Sequence, residues 1–176
     1  MKKAFTMIEL IFVIVILGIL AAVALPKFIG VASQAREANL KSFTGTLNGT
    51  LGPTWWSKAM TYDGNISELN IDTKTKLAKY TDLPKELSDF NLSNCNNPNK
   101  YKVIASFDKT KVGSDVDYYI ACKDGTASEA PKFILIKPKT TTDNLSLGDA
   151  NTSSPDFANN TVKFKDANHN EIIIQH

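Results

Sequence analysis

The stretch LIFVIVILGILAAVALPKF, residues 10–28, decides how the rest of the chain is read. Residues 10–25 hold no charge and no strong hydrogen-bonding side chain, and counting back to Phe5 gives 21 residues interrupted only by Thr6 and Glu9. A helix of that length rises about 1.5 Å per residue and spans roughly 30 Å, the thickness of a bilayer's hydrocarbon core. Lys2 and Lys3 before the run, and a largely polar chain after it, place the N-terminus in the cytoplasm and the remainder outside. A secretory signal peptide is the alternative, with Ala21 and Ala22 imitating a cleavage site. Against it, Phe28, Ile29, Val31 and Ala32 continue an apolar helical pattern beyond Pro26 without a break in composition.

Glu9 is the anomaly in this run. An acid inside a membrane helix costs about 2.5–3.5 kcal/mol at the centre and less near an end. Two readings follow: the side chain stays hydrated at the interface, or a partner cation neutralises it when subunits pack. Elsewhere composition mainly excludes. The 176 residues allow one domain of ordinary size, and 43% apolar with 22% charged residues is neither a disordered chain nor a multi-span membrane protein. Twenty Lys plus Arg against 18 Asp plus Glu give no indication of a nucleic-acid partner.

Pro26 removes a helical donor and is expected to kink or loosen the helix near Ala22, and Gly18 is a second soft point. Both features also suit an ordinary kinked transmembrane helix. From Lys27 the pattern turns amphipathic: Leu40, Phe43, Leu47 and Leu51 form one stripe, while Gln34, Arg36, Glu37, Asn39 and Lys41 are polar. Gly45, Gly49, Gly52 and Pro53 predict that the helix ends or breaks near Leu51, although residues 54–60 allow another turn. Trp55, Trp56 and Tyr62 beside such a stripe read as core rather than as an adhesive patch.

The C-terminal part reads as strands. Residues 65–100, rich in Asn, Ser, Thr and Lys, read as a variable loop region with a short helix over residues 84–90. Residues 100–108 (KYKVIASFD) and 116–123 (VDYYIACK) predict a hairpin, residues 133–137 (FILIK) a third strand, and residues 162–165 and 171–175 a second hairpin. An α+β protein follows: a long N-terminal helix packed on a small antiparallel sheet.

The string KKAFTMIEL followed by IFVIVILGILAAVALPKF resembles the processing and methylation segment of type IV prepilins and pseudopilins. The resemblance covers about residues 1–50. It implies a leader of residues 1–4, peptidase cleavage between Ala4 and Phe5, and N-methylation of the new Phe5 amine. Ala4 departs from the usual glycine, which implies slower processing. Glu9 falls on the family's characteristic acid, and Pro26 on a common proline. Residues 5–25 become the transmembrane and filament-core helix, residues 26–60 the amphipathic half, and residues 61–176 the globular head. The Phe5 amine of one copy then lies within about a turn of a staggered neighbour's Glu9, so that assembly neutralises the acid. The implied partners are copies of the chain, a prepilin peptidase and methyltransferase, an inner-membrane assembly platform with its ATPase, and the bilayer before assembly. The implied location is the inner membrane with a periplasmic head, then an extracellular pilus or a periplasmic pseudopilus. PKFIGVASQAR, residues 26–36, is similar to mannose-sensitive haemagglutinin-type pilins and favours a pilus for adhesion or motility over a pseudopilin of type II secretion or DNA uptake.

Cys95 and Cys122, the two cysteines, fall on the oxidising side and are expected to form a disulfide. No cofactor is expected. Asp166, Asn168 and Asn170 open like a calcium loop without its glycine and terminal Glu, so a turn explains them better, and Asp143, Asp149 and Asp156 give a weak calcium alternative. Asn48, Asn65, Asn91, Asn144, Asn151 and Asn159 fit Asn-x-Ser/Thr. Asn65, Asn91 and Asn151 also carry an acid two residues earlier (Asp63, Asp89, Asp149), resembling the bacterial N-glycosylation acceptor. No phosphate-binding loop, nucleophile elbow, HExxH or CxxC pair occurs, so no enzyme is expected.

Overall fold

Helix α1, Met7–Thr46, runs through Gly18 and Pro26 without interruption. The computed structural model that shows this describes residues 6–138, 145–151, 161–165 and 171–175. A single π-helical turn, Leu47–Leu51, joins α1 to α2, Gly52–Lys58, and a 3₁₀ turn, Ala59–Tyr62, ends the rod. The α-helix therefore breaks at Leu47–Leu51, as its glycines and Pro53 suggest, and α2 supplies the further turn. Pro53 cannot donate a hydrogen bond, and its ring crowds the carbonyl four residues back. The π-turn shifts the register so that the Gly52 N–H reaches the Leu47 carbonyl. Gly52 is required there, because a Cβ would stand 2.7 Å from that oxygen and 2.9 Å from the Phe133 ring.

Among the described residues six strands follow: β1 Leu87–Phe90, β2 Lys102–Phe107, β3 Tyr118–Lys123, β4 Lys132–Pro138, β5 Thr161–Lys165 and β6 Glu171–Gln175. They order as β1-β2-β3-β4-β6-β5 with antiparallel neighbours. Among the described residues, the β5–β6 hairpin meets β4 at Lys137↔Gln175 and Pro138↔Ile174. The α+β architecture is the one expected.

Side chains alternate across the sheet with the period of two that strands impose. Tyr118, Ile120 and Cys122 of β3 join Leu40, Phe43, Leu47, Leu51 and Trp55 in the core beneath the helix. Tyr119 and Ala121 point the other way, into a second cluster with Tyr101, Val103, Ile136, Leu145 and Phe164. A bulge between Val103 and Ala105 turns both Ile104 and Ala105 toward the helix side. Leu40 and Leu47 are 0% exposed and Phe43 and Leu51 are 6% exposed, so the amphipathic stripe is spent on the core. Each such side chain contributes about 1.5–3 kcal/mol.

Three expectations need correction. Residues 87–90 form β1 and not the end of a short helix, because Leu87 and Phe90 are buried in register with Phe107 and Ala105 of β2. The surrounding segment is no loose loop: Ile66, Ile71, Leu77 and Leu92 are all buried. Of the three aromatics, Trp55 is core and Trp56 is half-buried, its indole N–H donating to the Thr126 carbonyl at 2.7 Å, but Tyr62 is 50% exposed. The β2–β3 connection also holds a short helix, α3, Lys109–Val112, capped by Asp108 and ended by left-handed Gly113.

Candidate assembly site

The first helical turn is closed by a reciprocal cap. Thr6 donates its backbone N–H and its hydroxyl to Glu9 Oε2 at 2.9 and 2.8 Å, and the Glu9 N–H donates to Thr6 Oγ1 at 3.4 Å. Thr-x-x-Glu is the sequence form of this capping box, a signal passed over when Glu9 is read only as a partner for another subunit. The cap serves two of the helix's orphan donors, and Oε1 takes part in none of its three bonds.

Above the cap, Met7–Leu25 is long and apolar enough to cross a membrane, and none of it is buried inside the chain. Ile8, Phe12, Leu17, Ile19 and Leu25 each remain more than half exposed, and Gly18 has no neighbour within 4 Å of a would-be Cβ. A single copy in water leaves this whole surface unpaid for in hydrophobic terms. Ala4 and Phe5, the expected cleavage pair, lie outside the described residues, and Pro26 sits within α1.

Where α1 meets the sheet, one polar cluster ties the two together. The Tyr118 hydroxyl donates to Glu37 Oε2 at 2.6 Å, Lys41 reaches Oε1 at 2.9 Å, and Lys137 reaches Oε2 at 3.4 Å while lying 5.2 Å from the Tyr118 ring centre. The Tyr118 hydrogen bond, followed by the one from Lys41, holds the Glu37 carboxyl down to about 2. Burial, followed by the Glu37 bond, raises the Tyr118 hydroxyl's pKa. The cluster borders a groove of about 440 Å³ floored by Phe133, Ile134 and Leu135 of β4.

A second tie lies within the π-turn. Asn48 Nδ2 donates to the Phe133 carbonyl at 2.7 Å, and the Phe133 N–H donates to Asn48 Oδ1 at 2.9 Å, so one carboxamide completes the edge of β4. No sequence pattern announces a pair 85 residues apart. The Cys95–Cys122 disulfide, with Cα atoms 5.4 Å apart, fastens the segment after β1 to β3.

The remaining candidates are dispersed. Asn65 and Asn91 are half-buried, and the Asn91 oxygen accepts from the Ser93 N–H at 2.9 Å. Asn151 is buried, and its Oδ1 accepts from the Tyr101 N–H at 2.7 Å. Asn144 and Asn159 lie outside the described residues, as do Asp143, Asp156, Asp166, Asn168 and Asn170. Asp149 closes a turn by accepting from the Ser146 N–H at 2.7 Å. Among the described residues no three His, Cys, Asp or Glu side chains converge as metal ligands.

Residues 1–25 match the prokaryotic N-terminal methylation motif. The chain is also 55% identical, over 38 residues of its N-terminal segment, to the type IV narrow pilus major component PilA5 of Thermus thermophilus. That match covers 22% of this chain, which thus spans about a third (33%) of the relative's own length. No solved structure matches the chain. The apolar, unburied run Met7–Leu25 thus lies within the 25 residues that match the prokaryotic N-terminal methylation motif.

Proposed function

We propose that this chain is a structural subunit of a type IV pilus-like filament, held in the inner membrane by its N-terminal helix until it is assembled. In this reading the peptidase cuts between Ala4 and Phe5, residues 5–25 become the filament core, and the head stands in the periplasm and then on the fibre surface. One observation carries the reading: Met7–Leu25 is apolar and unburied in a single copy, yet it is the same uninterrupted helix whose upper half forms the core of the head. A bilayer covers that surface first, and sister helices cover it afterwards. Glu9, its Oε1 outside the cap, meets the Phe5 amine of a neighbour in the packed core. No catalytic role or cofactor belongs to this reading.

Deletion of the gene, followed by electron microscopy of sheared surface fractions, tests it. Fibres that disappear on deletion and return on complementation support a surface pilus for adhesion or motility. Periplasmic subunits without surface fibres would assign the chain to a pseudopilus instead. Of the acid-preceded asparagines, Asn65 and Asn91 are the more accessible candidates for glycosylation, and intact-mass analysis of the sheared fraction reads their occupancy.

A further inference from the structure

Resting on the filament reading, we propose that the groove rimmed by Lys41 and Lys137 receives residues 82–86 of a second copy of this chain. Lys41 and Lys137 share one counter-ion, Glu37, so the rim carries one unit of positive charge in excess. Its floor is apolar, with Leu135 only half-buried. Residues 82–86 read Asp-Leu-Pro-Lys-Glu: two carboxylates flank the half-buried pair Leu83 and Pro84, and Lys85 leaves one negative charge in excess. Neither Asp82 nor Glu86 has an ion-pair partner among the described residues.

The helix places these two surfaces back to back. Successive residues turn by about 100°, so Glu37, Lys41 and Thr44 of the groove fall on one flank of α1. Asn39, Ser42 and Thr46, which with residues 81–86 line a second cleft, fall on the opposite flank. The two sets differ by two residues along the helix, about 3 Å of rise. One copy can therefore present its acidic loop to the next copy's basic groove at nearly the same height. Such a contact joins unlike surfaces and repeats without using itself up, which is what an open helical array needs. Complementary rims set partner orientation and register more than raw affinity.

Charge reversal tests the contact in cells that make filaments. Lys41→Glu with Lys137→Glu, or Asp82→Lys with Glu86→Lys, is expected to lower sheared filaments about tenfold while the membrane pool persists, a loss of about 1.4 kcal/mol per contact. Combining all four substitutions makes the rim negative, with Glu37, and the loop positive, with Lys85, and is expected to restore filaments to within about threefold of wild type because the surfaces are again complementary. A second measurement does not depend on tolerance of reversed charge: Lys137→Cys with Glu86→Cys in one chain, oxidised in sheared filaments, should give a ladder of cross-linked multimers. Wild-type filament yields from both reversals, a quadruple variant no better than the pairs, or oxidised filaments without the ladder would each overturn the contact. Absence of filaments from the wild-type chain would instead remove the filament reading, and this inference with it.

Discussion

Within one copy Glu9 gives Oε2 to the Thr6 cap, while a filament asks the same carboxylate to meet a neighbour's terminal amine. The two roles separate by substitution. Glu9→Gln keeps an oxygen for the Thr6 N–H but removes the charge, whereas Thr6→Ala removes the cap and leaves the charge. If charge neutralisation drives assembly, Glu9→Gln chains should remain in the membrane but yield at most about a tenth of the sheared filaments. Thr6→Ala should cost only about 1 kcal/mol of helix stability and leave assembly near normal. Normal fibres from Glu9→Gln would end the pairing account. A different linkage governs Glu37, whose folded pKa of about 2 lies below the ordinary 4.5. A depressed carboxyl stabilises the fold above the ordinary value and loses that contribution as pH falls through the folded one. Tyr118→Phe removes the first cause of the depression. With the Glu37 side chain 28% exposed, the loss should be about 1 kcal/mol at neutral pH, after allowance for solvent screening. In urea titrations of the full chain in detergent, the gap between wild type and variant should close between pH 4.5 and about 2. A gap that stays constant over that window would show that Glu37 is not the partner that matters.

The π-turn is the element where helix and sheet are locked together, and its effect is measurable at Asn48. Asn48→Ala leaves the Phe133 N–H and carbonyl without their partner at the edge of β4. An unsatisfied polar group costs about 1–3 kcal/mol, so a loss of roughly 2–3 kcal/mol and a lower thermal midpoint are expected. An unchanged midpoint would mean that solvent serves Phe133 equally well. This element also shows where sequence reading stops. The stripe from Leu40 to Leu51 and the alternation in residues 118–123 are local periodicities, and both were legible. Gly52–Pro53 carries a local break signal too, and the helix breaks there, but its π-helical form is not local: a Cβ at Gly52 would stand 2.9 Å from the Phe133 ring. Tertiary pairing decides residues 87–90: a short helix is expected over residues 84–90, but the buried edge pairing of Leu87 and Phe90 with β2 wins. The membrane-length run Met7–Leu25 was legible because hydropathy is local, whereas the Thr6–Glu9 cap, also a local signal, was passed over. The Glu37–Tyr118–Lys137 cluster was not legible, since its members lie 81 and 100 residues apart.

For the whole molecule, anchor and head share one helix but draw stability from different sources, and this makes them separable. Residues 10–25 contain 12 Leu, Ile, Val and Phe side chains. At about −0.3 to −0.6 kcal/mol each, these favour insertion by roughly 5 kcal/mol, while one central Lys costs about 2.5–3.5. One lysine, as in Ile14→Lys, should therefore leave insertion favourable by about 2 kcal/mol. Adding Leu17→Lys should turn it unfavourable by about 1–2 kcal/mol. The single variant is expected to resist alkaline carbonate extraction like wild type, and the double variant to be released. Head and anchor bury different residues, so the single variant should also keep the Cys95–Cys122 disulfide, read as unchanged mobility without reductant. On the proposed topology, with the wild-type head in the periplasm, the double variant keeps its head on the reducing side and should run as the reduced form. A double variant that stays carbonate-resistant and oxidised would show that something other than Met7–Leu25 holds the protein in the membrane.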